Sequence, residues 1–176
     1  MLKRLFLGFS PNEVQTTQLL GEQNAIESDG NRVPSANLHL TLAFLGQVNE
    51  YQQACLIEQL NHHSTAAKFK RFNVILNEFV HWQKASAICL IGKALDPNLI
   101  DLKRRSVTLA TDIGLHCSEH DFIPHITLYR KAKRLTAAPP APLYFAPDTL
   151  HLYQSVSTHN GVRYPIVSSW SLIDEP

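Results

Sequence analysis

This 176-residue chain lacks most of the features that would mark out a function on their own. It has no excess of charge of one sign: sixteen Lys and Arg stand against fifteen Asp and Glu, a net charge of +1. No global field therefore draws it to a polyanion. Cysteine is scarce and odd in number. Cys55, Cys89 and Cys117 lack metal-ligand spacing, which fits buried, reduced thiols in a cytoplasmic protein better than a secreted disulfide scaffold. No apolar run is long enough to span a bilayer. The opening stretch Met1–Phe9 has the basic start and apolar core of a signal peptide, but Ser10-Pro11-Asn12-Glu13 cuts it short. There is no Walker loop, no G-x-G-x-x-G and no H-E-x-x-H, so nucleotide-driven and zinc-hydrolase chemistry find no support. The length suits one globular domain over residues 1–176, and the expectation is a cytoplasmic monomer without cofactor or metal.

What the chain does have is one short pattern written twice. Asn37-Leu38-His39-Leu40-Thr41-Leu42-Ala43-Phe44-Leu45-Gly46 and Ile123-Pro124-His125-Ile126-Thr127-Leu128-Tyr129-Arg130 both alternate apolar with polar, the period of a half-buried strand. Leu38, Leu40, Leu42 and Phe44 take core parity in the first, and Ile126 and Leu128 in the second. His39 with Thr41, and His125 with Thr127, share the other face, because residues two apart on a strand point the same way. Composition alone yields roughly half of one H-x-T. A third, His63-Ser64-Thr65, has no alternation around it and follows a helical pattern, so it is set aside.

Imidazole is the side chain that serves as acid or base near neutrality. Two of them facing one substrate suit a reaction that removes one proton and delivers another, each contributing roughly 10²–10⁴-fold. Neighbouring threonine hydroxyls donate to the nonbridging oxygens of a phosphate.

Taken in order, Met1–Phe9 reads as a strand. Ser10 as N-cap, Pro11 in the first turn and Glu13 three after the cap start a helix through Val14, Leu19 and Leu20 to Ala25. Asn49-Glu50-Tyr51-Gln52 starts a second with the same logic, reaching about His62. Phe72–Leu76 and Ala87–Ile91 read as strands joined around Trp82-Gln83-Lys84. Leu95-Asp96-Pro97 opens a third helix, with Leu99, Leu102, Leu109, Ala110 and Ile113 on one face and Gly114 at its end. A stiff Ala137–Pro142 loop leads to a hairpin of Leu150–Val156 and Arg163–Leu172 around Asn160-Gly161. Strand–helix–strand occurs in both halves with the motif last, the order of a duplicated unit.

The tetrads His39-Leu40-Thr41-Leu42 and His125-Ile126-Thr127-Leu128 resemble the paired H-x-T-x signatures of the 2H phosphoesterase superfamily. Their flanks resemble its bacterial RNA 2′,3′-cyclic phosphodiesterase branch, also called the 2′-5′ RNA ligase family, over nearly the whole chain. The resemblance implies an α+β fold of two pseudo-symmetric lobes, each an antiparallel sheet with helices packed outside, and a cleft between them. It implies His39 as proton donor to the leaving 3′-oxygen and His125 as proton acceptor from water, with Thr41 and Thr127 beside them. The partner would be RNA or a nucleotide bearing a 2′,3′-cyclic phosphate, opened to a 2′-phosphate. Run backwards with a 5′-hydroxyl, the same site would make a 2′-5′ bond without ATP.

Arg130 matches a common arginine of that branch and is a candidate phosphate contact. Strand parity sets it opposite His125 unless the strand bulges or ends first. Phe44 and Phe122 are candidates for base stacking, Phe44 against its core parity. Lys131, Lys133 and Arg134 read as a solvated loop or a track for an RNA backbone. Many members carry an aromatic after the arginine that Arg32 matches, where this chain has Val33. His62, His63, His81, His116, His120, His151 and His159 read as surface or structural residues. Two alternatives stay open: a phosphodiesterase for 2′-5′ oligonucleotides or a small cyclic nucleotide, and a binding module without turnover. The last predicts a broken His-Thr pair, and both pairs are intact.

Overall fold

The computed structural model describes residues 1–115, 117 and 121–174. His116 and His120 lie outside them. The strands in chain order are β1 (Lys3–Phe9), β2 (Asn31–Arg32), β3 (Leu40–Val48), β4 (Val74–Trp82), β5 (Ala87–Gly92), β6 (His125–Arg130), β7 (Leu143–Phe145), β8 (Thr149–Thr158), β9 (Gly161–Arg163) and β10 (Ile166–Ser171). The helices are α1 (Glu13–Ala25), α2 (Glu50–Thr65) and α3 (Pro97–Asp112).

The main path of the sheet runs β10-β8-β1-β3-β6-β5-β4-β7, and β3 meets β6 antiparallel through the pair Leu40–Ile126. Each motif strand therefore lies at the inner edge of its own four-stranded antiparallel half, the two lobes of an α+β fold. The chain halves do not each build one lobe. β8 and β10, from the C-terminus, complete the lobe of β1 and β3, while α1 packs on β6 and β7 of the other lobe. α2 and α3 cover β10 and β3. Leu40, Leu42, Ile126 and Leu128 lie in the apolar core, leaving the other face of the motif strands for the cleft.

The helix starts show how local chemistry sets boundaries. Asn12, not Ser10, caps α1: its side chain accepts from the Gln15 amide N–H at 2.9 Å, and the Gln15 side chain accepts from the Asn12 N–H at 2.9 Å. Both Ser10…Glu13 and Asn12…Gln15 have capping-box spacing. Ser10 is instead held by the Tyr153 hydroxyl at 2.6 Å. Val14 is consequently exposed, and Leu19 alone of the three expected apolar residues is fully buried. Asn49 with Gln52 caps α2, and Asp96 with Pro97 starts α3, as expected. Leu99, Leu102, Leu109 and Ala110 are buried, and Gly114 adopts φ +76° just past the end. His63-Ser64-Thr65 is the last turn of α2, confirming it as a helical coincidence.

The second arm of the C-terminal hairpin is broken. β9 ends at Arg163 and β10 begins at Ile166, with Tyr164-Pro165 between them. Proline offers no N–H to continue the ladder, and the Pro165 carbonyl accepts from the Gln154 N–H at 3.0 Å. All three cysteines are free, Cys89 and Cys117 buried and Cys55 half-buried.

Candidate active site

Both motif strands carry the same irregularity at the same place. On β3, Thr41 pairs with Gly8 and Ala43 with Leu7, so Leu42 is an extra residue. On β6, Thr127 pairs with Cys89 and Tyr129 with Ile88, so Leu128 is an extra residue. A bulge of one residue reverses the parity of everything after it. Ala43 with Leu45, and Tyr129, turn into the core, and Phe44 and Arg130 turn onto the face of the histidines. This corrects the parity expected for Phe44, which is 52% exposed at the cleft. It is also the condition under which Arg130 reaches the site. Gly8 permits the first bulge: a Cβ there would stand 2.6 Å from the Leu40 carbonyl oxygen.

The motif side chains meet in one cavity of about 380 Å³, lined by His39, Thr41, His125, Thr127 and Arg130. An antiparallel register carried one residue either way from Leu40–Ile126 sets His39 opposite Thr127 and Thr41 opposite His125. Each imidazole thus has the hydroxyl of the other motif across from it. The two rings are oriented alike. Nδ1 of His39 bonds the Asn37 carbonyl at 2.7 Å, and Nδ1 of His125 bonds the Ile123 carbonyl at 2.7 Å. A carbonyl only accepts, so Nδ1 carries the proton and Nε2 is the nitrogen left for chemistry. Thr127 Oγ1 accepts from the Cys89 thiol at 3.5 Å, which leaves its own O–H free to donate.

Burial pushes the His39 imidazole down to about 4, with Arg130 and His125 adding to the effect and the Asn37 carbonyl opposing it. Burial also lowers His125, again with Arg130 contributing. Both rings are therefore neutral bases in the empty cleft at pH 7, and an anionic phosphate would draw a proton back onto one of them.

Several cleft residues carried no signal in the sequence. The Tyr164 ring stands edge-on to His39 at 4.9 Å, and Trp82 edge-on to His125 at 4.7 Å. Phe6 lies between His39 and Tyr153, 4.8 and 4.9 Å from their rings. Arg4, Ser155 and Ser157 complete the polar wall. Alternation along β1 and β8 puts these residues on one strand face, but only the assembled sheet shows that this face meets the cleft.

Other candidates lie elsewhere. Lys131, Lys133 and Arg134 are exposed and do not line the cleft; Lys131 follows β6 at φ 56°, and Asp29 Oδ1 accepts from the Lys133 N–H. Arg32 donates to the Tyr129 hydroxyl at 3.1 Å and to Asn24, and Val33 is buried. His81 Nε2 bonds the Ala132 carbonyl and His151 Nδ1 the Ser169 hydroxyl, structural roles as expected. Among the described residues no group of three or more His, Cys, Asp or Glu could hold a metal ion, and no helix is long and apolar enough to cross a membrane.

The family described as LigT like Phosphoesterase matches residues 10–89, a span that includes the first motif. The RNA 2′,3′-cyclic phosphodiesterase of Escherichia coli (strain K12) is 29% identical over 147 residues, covering 81% of this chain and 80% of that protein. Crystal structures agree across both lobes. A phosphoesterase superposes with a TM-score of 0.87 at 27% identity, over 99% of this chain and all of that one. E. coli LigT complexed with 3′-AMP gives 0.85 at 28% identity, over 98% and 99%.

Proposed function

Because this chain is a LigT-like phosphoesterase of the 2H superfamily, we propose that it hydrolyses 2′,3′-cyclic phosphate ends of RNA or nucleotides to 2′-phosphomonoesters. The observation that carries the proposal is the matched pair of imidazoles. Each has Nδ1 tied to a carbonyl two residues back, Nε2 left for chemistry, and a threonine from the other motif across the strand pair. A hydrolysis needing one base and one acid is served by that pair with no third titrating group.

In this reading the cyclic phosphate binds against Arg130, whose guanidinium offers a fork of donors to phosphate oxygens. Thr41 and Thr127 donate to the nonbridging oxygens, where charge builds as the ring opens. His125 Nε2 takes a proton from water as the water attacks phosphorus. The P–O3′ bond breaks, and His39, protonated while the phosphate is bound, gives its proton to O3′. In-line displacement requires nucleophile and leaving oxygen on opposite sides of phosphorus, so two imidazoles on two strands serve one opening better than the other. The working unit is read as a monomer, since one chain supplies every group. Three free thiols favour the cytoplasm.

Phosphorus NMR of the product from a nucleoside 2′,3′-cyclic phosphate tests this, with a single 2′-phosphate expected. A predominant 3′-phosphate or an equal mixture would overturn the roles given to His39 and His125. Absence of turnover would overturn the activity.

A further inference from the structure

Asn37 makes two contacts at once, one with its main chain and one with its side chain. Its carbonyl accepts from His39 Nδ1 at 2.7 Å, and its side-chain amide donates to the Val162 carbonyl of β9 at 2.7 Å. Two residues beyond Val162, the Tyr164 ring stands edge-on to His39 with centroids 4.9 Å apart. The contacts form a closed circuit from His39 to Asn37, from Asn37 to β9, and through Tyr164 back to His39. Among the described residues, that amide gives the one hydrogen bond between residues 34–39 and the β8–β9 hairpin.

The hairpin needs such a tie because little lies behind it. Val162 and Tyr164 form a wall shared by the cavity of the motif residues and a second cavity of about 540 Å³, which Pro34, Asn37, Val156 and Pro165 also line. A side chain with a cavity at its back lacks the contacts that would hold it in place. β8 secures the hairpin from the other side, through the Val156–Arg163 pair and the Gln154 N–H donated to the Pro165 carbonyl. Neither bond reaches the loop of His39.

The other lobe solves the same task within its ladder. Trp82, edge-on to His125, belongs to β4 and pairs with Ala87 of β5. Tyr164 instead falls in the gap between β9 and β10. Ile123, whose carbonyl accepts from His125, correspondingly has no side-chain amide to donate.

We propose that Asn37 is a positioning residue for the acid, its amide holding the β8–β9 hairpin, and with it the Tyr164 ring, over His39. The proposal rests on the reading of His39 as proton donor. Coverage by the hairpin adds to the burial that depresses the basicity of His39. The charged and titratable groups that face His39 are Arg4, His125 and Arg130 in the cavity, with Tyr153 and Tyr164 on the side of β8 and the hairpin. Asn37 and Val162 carry no charge. Removing the amide therefore changes the access of water to the imidazole and deletes no charged neighbour.

The test is an NMR titration of the His39 ring in the unmodified protein and in Asn37→Ala, which keeps the main-chain carbonyl and loses only the amide. Releasing the hairpin should raise His39 toward the ordinary imidazole value of about 6.5 and leave His125 where it was. On a nucleoside 2′,3′-cyclic phosphate, kcat/KM should fall about tenfold at its optimum. Its alkaline limb should move to higher pH, because a more basic ring keeps its proton longer. Tyr164→Ala should raise His39 in the same direction, and adding Asn37→Ala to it should raise His39 no further, since both break one chain of contacts. An unchanged His39 titration in Asn37→Ala, with or without a fall in kcat/KM, would overturn the positioning role and leave the hydrolase reading standing. Effects of the two substitutions that simply add would do the same. Absence of turnover in the unmodified protein would overturn both.

Discussion

At the residue scale, the two histidines carry the proton transfers and the two threonines assist. His39→Ala and His125→Ala should each lower kcat/KM by about 10²–10⁴-fold with the fold intact, measured on a cyclic mononucleotide. Thr41→Ala and Thr127→Ala should lose less, about ten- to a hundredfold, since a hydrogen bond to a charged group is worth about 1.5–3 kcal/mol. His63→Ala, in the helical H-x-T, should be silent, and an effect as large as that of His39→Ala would undo the strand argument. The lowered basicity of both rings also fixes a pH response. Catalysis needs one ring protonated, and a ring with a depressed pKa loses that proton as pH rises through the lowered value. The alkaline limb of kcat/KM should therefore fall below pH 6.5, the ordinary imidazole value. The limb of kcat should lie higher, because bound phosphate stabilises the imidazolium. A kcat/KM limb above 6.5 would contradict the burial of these rings.

At the element scale, the device that builds the site is the bulge after each H-x-T. It lets a strand present His and Thr to the cleft, bury the next residue, and then present Phe44 or Arg130 to the same cleft. The first bulge depends on close approach of β1, where Gly8 lies against the Leu40 carbonyl. Gly8→Ala should thus force β1 away from β3, at a cost of about 1–3 kcal/mol by chemical denaturation. It should also lower kcat by displacing Thr41. Gly21→Ala, in α1 with no atom within 4 Å of the added Cβ, is the control and should be neutral or stabilising. Equal effects of the two would deny the bulge its role. The broken hairpin acts similarly: Pro165 interrupts the ladder and leaves Tyr164 against His39.

At the scale of the molecule, the lobes are interleaved. α1 follows β1 of one lobe but packs on the other, and the last strands return to complete the first lobe. We propose that the chain unfolds as one unit, because neither lobe keeps its core when the other is lost. Calorimetry should show a single transition with matching calorimetric and van't Hoff enthalpies. Two resolved transitions would make the lobes separate domains.

The sequence determined what depends on neighbours along the chain. Asn49 and Asp96 cap their helices, Leu40 and Ile126 face the core by alternation, and His39-Thr41 and His125-Thr127 each share a strand face. Whether Phe44 and Arg130 joined them was set by bulges, and a bulge is visible only against a partner strand: β1 for Leu42, β5 for Leu128. Ser10 and Asn12 offered equivalent caps, and Tyr153, far along the chain, engaged Ser10. Trp82 and Tyr164 come from segments with no local mark of function. Local order follows from steric and hydrogen-bonding preferences of adjacent residues. The cleft is a product of packing between segments as distant along the chain as those of His39 and Tyr164, and only the tertiary structure decides it.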